Sequence, residues 1–163
     1  VQFMNTEFIA AVRKALEESG LAPARLEMEV TETAMMQDRG RAAKILEELA
    51  EIGILVAVDD FGTGYSNLSY LIDFSFHKMK IDKTFIDRLE ADASSGAVVS
   101  TIVGLSRALG VHTIAEGVET ENQATLLRAA GCDVVQGNFY GRPAPLSSAF
   151  ETTQDYKIAA TIH

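Results

Sequence analysis

The sequence predicts an α/β fold built on parallel strands, and three features predict it. Apolar runs rich in β-branched residues alternate with segments of helical periodicity, the pattern of strands joined by crossover helices. One run, Ile54-Leu55-Val56-Ala57-Val58, is unbroken, as suits a strand buried on both faces of a parallel sheet. Five successive strands also finish at or near a polar residue: Glu29, Asp59, Lys80, Glu116 and Gln136. That repetition sets these side chains along one rim, and in α/β folds such a rim is where ligands and chemistry collect.

Each element has its own warrant. Phe8, Ile9, Val12 and Leu16 follow helical spacing, with Asn5 or Thr6 as the expected N-cap and Gly20 as the stop. Pro23 marks a turn. Residues 26–31 alternate with period two, so Glu27, Glu29 and Thr31 share one strand face. Ala42, Ala43, Leu46, Leu49 and Ile52 define a second helix, ending at Gly53. The apolar strand follows and ends at Asp59-Asp60. A short helix is expected over 67–71, a strand over 77–82, and a helix over 97–109 stopped by Gly110. Then come a strand over 111–115, a helix over 121–130 stopped by Gly131, and a strand over 133–137. Pro143 and Pro145 close the regular part. Met35 and Met36, outside any predicted element, are expected to form a flexible cap.

Composition narrows the function. The chain has 163 residues, 47% hydrophobic and 23% charged, which suits one domain with a real core. Its net charge of −9 comes from 14 basic and 23 acidic residues, with no Lys/Arg cluster of the kind that tracks a nucleic-acid duplex. An anionic ligand would need metal ions to offset the local carboxylates. One cysteine, Cys132, excludes an internal disulfide and suits a reducing, cytoplasmic compartment, where it is expected to be a small buried hydrophobe. No apolar run approaches the roughly 20 residues of a membrane span, so no membrane contact is expected of this segment.

Asp59 and Asp60 are the chemical centre of the pattern. Adjacent carboxylates repel and call for a cation, a shared proton or open water. Gly62 and Gly64 let the chain leave the strand sharply and pass close to a ligand. An acidic pair alone can be a solvated turn. Asp60-Phe61-Gly62 also occurs as a kinase metal motif, but no kinase glycine loop or catalytic loop accompanies it. The glycines at 62 and 64 lack the third of a dinucleotide fingerprint. Lys80 can end a strand in solvent or belong to a rim of carboxylates, and Glu116 and Glu119 can also cap the next helix. Gln136 can serve backbone groups alone. His77 and His112 lie inside strand patterns and are expected to pack or face solvent. Arg142 is expected at the surface.

Five motifs in order carry a family resemblance: Glu29-Val-Thr-Glu32, the stretch from Asp59-Asp-Phe-Gly-Thr-Gly-Tyr-Ser-Asn to Leu68, Lys80-Ile-Asp82, Ala115-Glu-Gly-Val-Glu119 and Val135-Gln-Gly137. Together they resemble the EAL domain, a family of cyclic-di-GMP phosphodiesterases on a modified TIM barrel. The resemblance implies that residues 1–146 belong to such a domain and that 147–163 form a tail, partly helical. It implies Glu29, Asp59, Asp60 and Glu119 as metal residues, for two Mg²⁺ or Mn²⁺ ions. It implies Lys80 as the lysine that holds the attacking water and Glu116 as the catalytic glutamate. Gln136 becomes a substrate-binding residue and Glu32 the anchor of the loop after Asp60, a loop that the family couples to dimerisation. The expected reaction is hydrolysis of cyclic-di-GMP to linear pGpG in a homodimer whose sensor or cyclase domains precede this segment. Hard cations prefer the oxygen donors that this rim offers.

The chain also departs from the family. The glutamate-alanine-leucine signature and an asparagine-bearing strand, both sources of metal ligands, would lie before Val1. A TIM barrel takes about 250 residues, so the segment is expected to be an incomplete barrel of about five strands. Its strands over 26–31 and 133–137 would be open edges, prone to self-association. On this reading the isolated segment does not hydrolyse cyclic-di-GMP. Two other classes stay open: a sensor that binds the nucleotide without cleaving it, and a dimerisation surface.

Overall fold

The computed structural model describes residues 3, 5, 7–63, 68–143 and 145. The tail over 147–163, and Gly64, Tyr65, Ser66 and Asn67 of the loop motif, lie outside the described residues. Strands and helices alternate as the sequence predicts. A parallel sheet runs in chain order through β1 (Glu27–Thr31), β2 (Leu55–Phe61), β3 (Lys78–Ile81), β4 (His112–Ala115) and β5 (Val134–Val135). The helices are α1 (Phe8–Ser19), α2 (Glu32–Gln37), α3 (Arg39–Ile52), α4 (Lys83–Asp87), α5 (Ala93–Leu109) and α6 (Glu121–Ala130). The chain divides into two compact units, Val1–Met79 with Leu109–Val111, and Lys80–Ala108 with His112–His163. Among the described residues, no helix is long and apolar enough to cross a membrane.

In the first unit β2 is the centre. Val56, Ala57 and Val58 are wholly buried, the burial that an uninterrupted apolar run needs. Ala42, Ile45, Leu46 and Leu49 form one stripe of α3, and that helix contacts β2. α1 buries Val12 and Leu16 and contacts α3. Both helices stop at left-handed glycines, Gly20 at φ 64° and Gly53 at φ 90°, whose N–H groups cap the last carbonyls. Glu7 rather than Asn5 holds the N-cap position of α1, and Asn5 Oδ1 accepts from the Glu7 N–H at 3.1 Å; Thr6, the other expected cap, lies outside the described residues. β1 pairs with β2 from Glu27 opposite Leu55 to Thr31 opposite Asp59. His77 extends the pairing: its backbone N–H donates to Val56 O at 2.8 Å, and its ring Nδ1 accepts from the Val56 N–H at 3.2 Å.

Two expectations fail here. β2, expected to end at Asp59-Asp60, runs on through the pair to Phe61. Met35 is not a flexible cap: it is fully buried in α2, a helix of fewer than two turns and so too short to show a period in sequence. Thr31 starts that helix, its Oγ1 accepting from the Ala34 N–H at 3.3 Å.

The second unit is built the same way. Asp82 caps α4 by accepting from the Thr84 N–H at 3.0 Å, which ends β3 at Ile81 and starts a helix with no counterpart in the apolar pattern. α5 starts at Ala93 rather than 97, because Asp92 accepts from the Ser94 N–H at 2.9 Å and the Ser95 hydroxyl at 3.2 Å. Ser95, Val99, Ile102, Val103 and Ser106 form its buried stripe. α6 has the expected bounds, with a capping box between Thr120 and Gln123 and a left-handed Gly131 at φ 83°. Cys132 is buried as expected, and burial pushes its thiol up.

β5 is shorter than expected because Asp133 serves a side-chain link instead. Its Oδ2 accepts from the Thr113 N–H at 2.7 Å and the Thr113 hydroxyl at 2.9 Å, while Thr113 Oγ1 accepts from the Asp133 N–H at 3.0 Å. Partial burial pushes the Asp133 carboxyl up, but the bonds from Thr113 and the nearby His112 more than reverse that, so it sits below its ordinary value. A depressed folded pKa contributes stability above the unfolded value, near 3.9, and that stability is lost as pH falls through the folded value. Asp133→Asn should therefore cost about 1 kcal/mol at pH 7, allowing for a side chain partly in solvent. Urea denaturation should show the gap narrowing below about pH 4; an equal gap at pH 3 rejects the charged role.

Candidate functional site

Lys80 is a buried charge at the end of β3, at 4% exposure between Met79 and Ile81, which are fully buried. Its Nζ lies 2.7 Å from Glu116 Oε1, and Gln136 Nε2 donates to the same oxygen at 2.7 Å. The backbone sets this meeting. The Glu116 N–H donates to Ile81 O at 3.3 Å, and the Gln136 N–H to Ala115 O at 2.9 Å. The sequence places Lys80, Glu116 and Gln136 at the ends of β3, β4 and β5, and the structure brings these three together. Oε1 takes both donors, so Oε2 is the oxygen that these two bonds leave for another proton.

The loop over 116–119 is held on two sides. On one, the Val118 N–H donates to Gln136 O and Val118 O accepts from the Phe139 N–H, each at 3.0 Å. Val118 is fully buried, and a Cβ on Gly137 would fall 2.2 Å from its N and O. On the other, Gly117 turns at φ 73° beneath the stem of Lys83, whose Cγ would lie 2.5 Å from a Cβ at 117. Lys83 Nζ meets Glu119 Oε1 at 2.7 Å and Asp87 Oδ1 at 3.0 Å. The bond to Glu119, then that to Asp87, raises the Lys83 ammonium above its ordinary value. Gln123 Oε1 accepts from the N–H groups of Glu119 and Thr120 at 2.8 and 3.1 Å, and its Nε2 donates to Ile86 O at 3.1 Å. A cleft of about 300 Å³ opens here, lined by Lys83, Glu116, Gln136, Asn138 and Pro143 among others.

The remaining predicted residues lie in the first unit. Glu29 faces Ala57 across the sheet, and Thr31 faces Asp59. With two-residue alternation, Glu29 and Asp59 therefore stand on the same face, one step apart. Asp59 Oδ1 is withdrawn from solvent. Asp60 is exposed and takes φ 55°, the positive region that non-glycine residues seldom enter. The following turn is tied by the Thr63 hydroxyl, which donates to Asp60 O at 2.8 Å. Glu32, only 2% exposed, accepts from the Gly62 N–H through Oε2 at 3.4 Å.

Glu29, Asp59 and Asp60 are hard oxygen donors, so by type they fit Mg²⁺ or Mn²⁺. Among the described residues, no group of three acidic, His or Cys side chains stands ready around a metal position. Glu119 has its carboxylate on Lys83. Sequence reasoning singled out neither Lys83 nor Gln123. The capping-box spacing Thr120-Glu121-Asn122-Gln123 could have found Gln123. Nothing local distinguishes Lys83 from a surface lysine.

Known proteins resemble the chain over most of its length. The family model of the EAL domain matches residues 1–143. The bifunctional diguanylate cyclase/cyclic di-GMP phosphodiesterase MucR of Pseudomonas aeruginosa is 43% identical over 145 residues, 89% of this chain and 21% of that protein. A solved structure of the PaMucR phosphodiesterase in complex with c-di-GMP superposes with a TM-score of 0.88 at 42% identity, covering 91% of this chain and 60% of that one. A manganese/cyclic-di-GMP complex of Klebsiella pneumoniae BlrP1 has a TM-score of 0.80 at 31% identity, covering 88% and 36%. The chain spans about a fifth of the length of the curated relatives it matches.

The contact between Gly137 and Val118 is open to test. Gly137→Ala should displace the 116–119 loop and cost about 1–3 kcal/mol by overpacking. Gly40→Ala is the control, because its nearest neighbour, an Asp38 oxygen, lies 3.8 Å from the added Cβ. Equal urea midpoints for the two variants would remove the clamp from the site.

Proposed function

Given that the chain belongs to the EAL domain family, we propose that it serves the hydrolysis of cyclic-di-GMP to linear pGpG, with Glu116 as general base. The observation that carries this reading is the Glu116 carboxylate, fixed through one oxygen by buried Lys80 and by Gln136. A general base needs a defined orientation and an accepting oxygen within reach of a water. Lys80 and Gln136 supply the orientation, and Oε2 supplies the acceptor. As that water attacks phosphorus, the bond to the ribose 3′-oxygen breaks, the water's proton passes to Glu116, and the leaving 3′-oxygen takes up a proton from solvent. The Lys80 ammonium offsets negative charge that builds on the phosphoryl oxygens, and its low exposure makes that effect larger than it would be in water.

Glu29, Asp59 and Asp60 are the residues we assign to divalent cations. Bound Mg²⁺ or Mn²⁺ would acidify water and neutralise phosphate charge. The manganese complex of the BlrP1 relative supports this assignment, as does the oxygen-only donor set. Glu32 fits a loop anchor, since its buried carboxylate takes the Gly62 N–H. For the whole protein we propose a homodimer with sensor or cyclase domains, in keeping with the names of relatives such as MucR and the oxygen sensor protein DosP of Escherichia coli. A second reading, nucleotide binding without cleavage, is favoured by Glu119, whose carboxylate is engaged by Lys83 at 2.7 Å.

Two substitutions in the intact protein separate these readings. Glu116→Gln should keep nucleotide binding and lower kcat by about 10²–10⁴-fold. A parallel loss of binding and rate would make Glu116 a structural residue. Asp59→Asn should raise the Mg²⁺ or Mn²⁺ concentration needed for half-maximal turnover and remove most of the rate. Turnover within about threefold of wild type at saturating metal would exclude Asp59 as a ligand. A wild-type protein that binds cyclic-di-GMP by calorimetry but yields no pGpG selects the binding module.

A further inference from the structure

We infer that Lys83 is a positioning residue for Glu116, holding the 116–119 loop at the height from which the carboxylate meets Lys80 and Gln136. The inference deepens the hydrolytic reading and rests on it for its consequence in turnover. It starts from the unequal support of the two sides of that loop. Towards β5 the loop is held by main-chain bonds and by the contact of Gly137 with Val118, which side-chain changes elsewhere leave alone. Towards α4, Lys83 makes three contacts at once. Its stem fills the volume over Gly117 where any side chain at 117 would stand. Its ammonium reaches Glu119, the last residue of the loop, at 2.7 Å. The same ammonium reaches Asp87, one turn along α4, at 3.0 Å.

The geometry has a purpose that stability does not explain. The Lys83 side chain is 46% exposed, and exposed ion pairs contribute little to folding. Yet Asp87 and Glu119 lie on different elements, so one ammonium between them fixes a distance between α4 and the loop. The Cβ-free turn at Gly117 lets the stem pass directly over the backbone next to Glu116. A small displacement of that backbone moves Oε1 away from two donors at 2.7 Å, and a misplacement of about 1 Å can cost about 10²-fold in rate. Lys83 acts through the loop, by its stem over Gly117 and its bond to Glu119.

The test uses the intact protein with Lys83→Met, which keeps a stem over Gly117 but removes the ammonium, and Lys83→Arg, which restores a cation. Activity on cyclic-di-GMP, thermal unfolding and amide exchange at residues 117–119 are measured for each. Lys83→Met should lower kcat by about 10-fold or more with KM within about twofold, and speed exchange in the loop while the unfolding midpoint stays near that of wild type. Lys83→Arg should recover both readouts. A kcat per folded molecule that is unchanged in Lys83→Met, or a raised KM at unchanged kcat, overturns the inference; the second result would make Lys83 a substrate contact. A loss that Lys83→Arg does not recover also overturns it. If wild type does not hydrolyse the nucleotide, the functional reading fails on its own, and loop exchange still decides: unchanged exchange in Lys83→Met refutes the hold on the loop.

Discussion

An ammonium withdrawn from water must find a counter-charge, and in the second unit Lys80 finds it in Glu116. Leaving Lys80 alone in so dry a place would cost several kcal/mol, by the general penalty for a buried unpaired ion. That requirement orders much around it. The Glu116 N–H must bond to Ile81 O and the Gln136 N–H to Ala115 O for the ends of β3, β4 and β5 to stand level. Gly117 and Gly137 must lack side chains for the chain to turn between them. The pair is thus both a constraint on folding and the source of a fixed carboxylate.

The first unit answers a different demand. Its acidic residues stand at the end of the most buried strand. Glu32 is tied to Gly62, and the Asp60 carbonyl accepts from the Thr63 hydroxyl. Glu29 and Asp59 share a face through the register of β1 on β2. The second unit fixes its carboxylate with a cation of its own, Lys80, whereas the carboxylates assigned to metal gather at this strand end.

Much of this was legible in the sequence. The apolar run at β2, the left-handed glycines after α1, α3 and α6, and the polar strand ends each follow from rules that act over a few residues. Lys80, Glu116 and Gln136 were legible because each ends a strand. What stayed hidden was set by side chains acting at a distance or over short spans. α2 and α4 are too short to show a period, and Met35 was misread for that reason. α5 starts early because Asp92 caps a first turn of small residues that looks like loop. β5 is short because Asp133 bonds across to Thr113, a choice that no local pattern records. Lys83 belongs to the same class, since its partners lie four and thirty-six positions away.

The backbone at Asp60 carries an evolutionary consequence. At φ 55° most side chains are strained, whereas Asp, Asn and Gly are tolerated. The proposed metal chemistry asks for a carboxylate. Aspartate alone among the common residues meets both conditions, because glutamate supplies the charge without the conformational tolerance. A lineage that gave up the chemistry would be free to drift to Asn or Gly at position 60 with its fold intact. The identity of that one residue would then date the loss of catalysis more sensitively than Gly62, whose φ of 93° the turn itself requires.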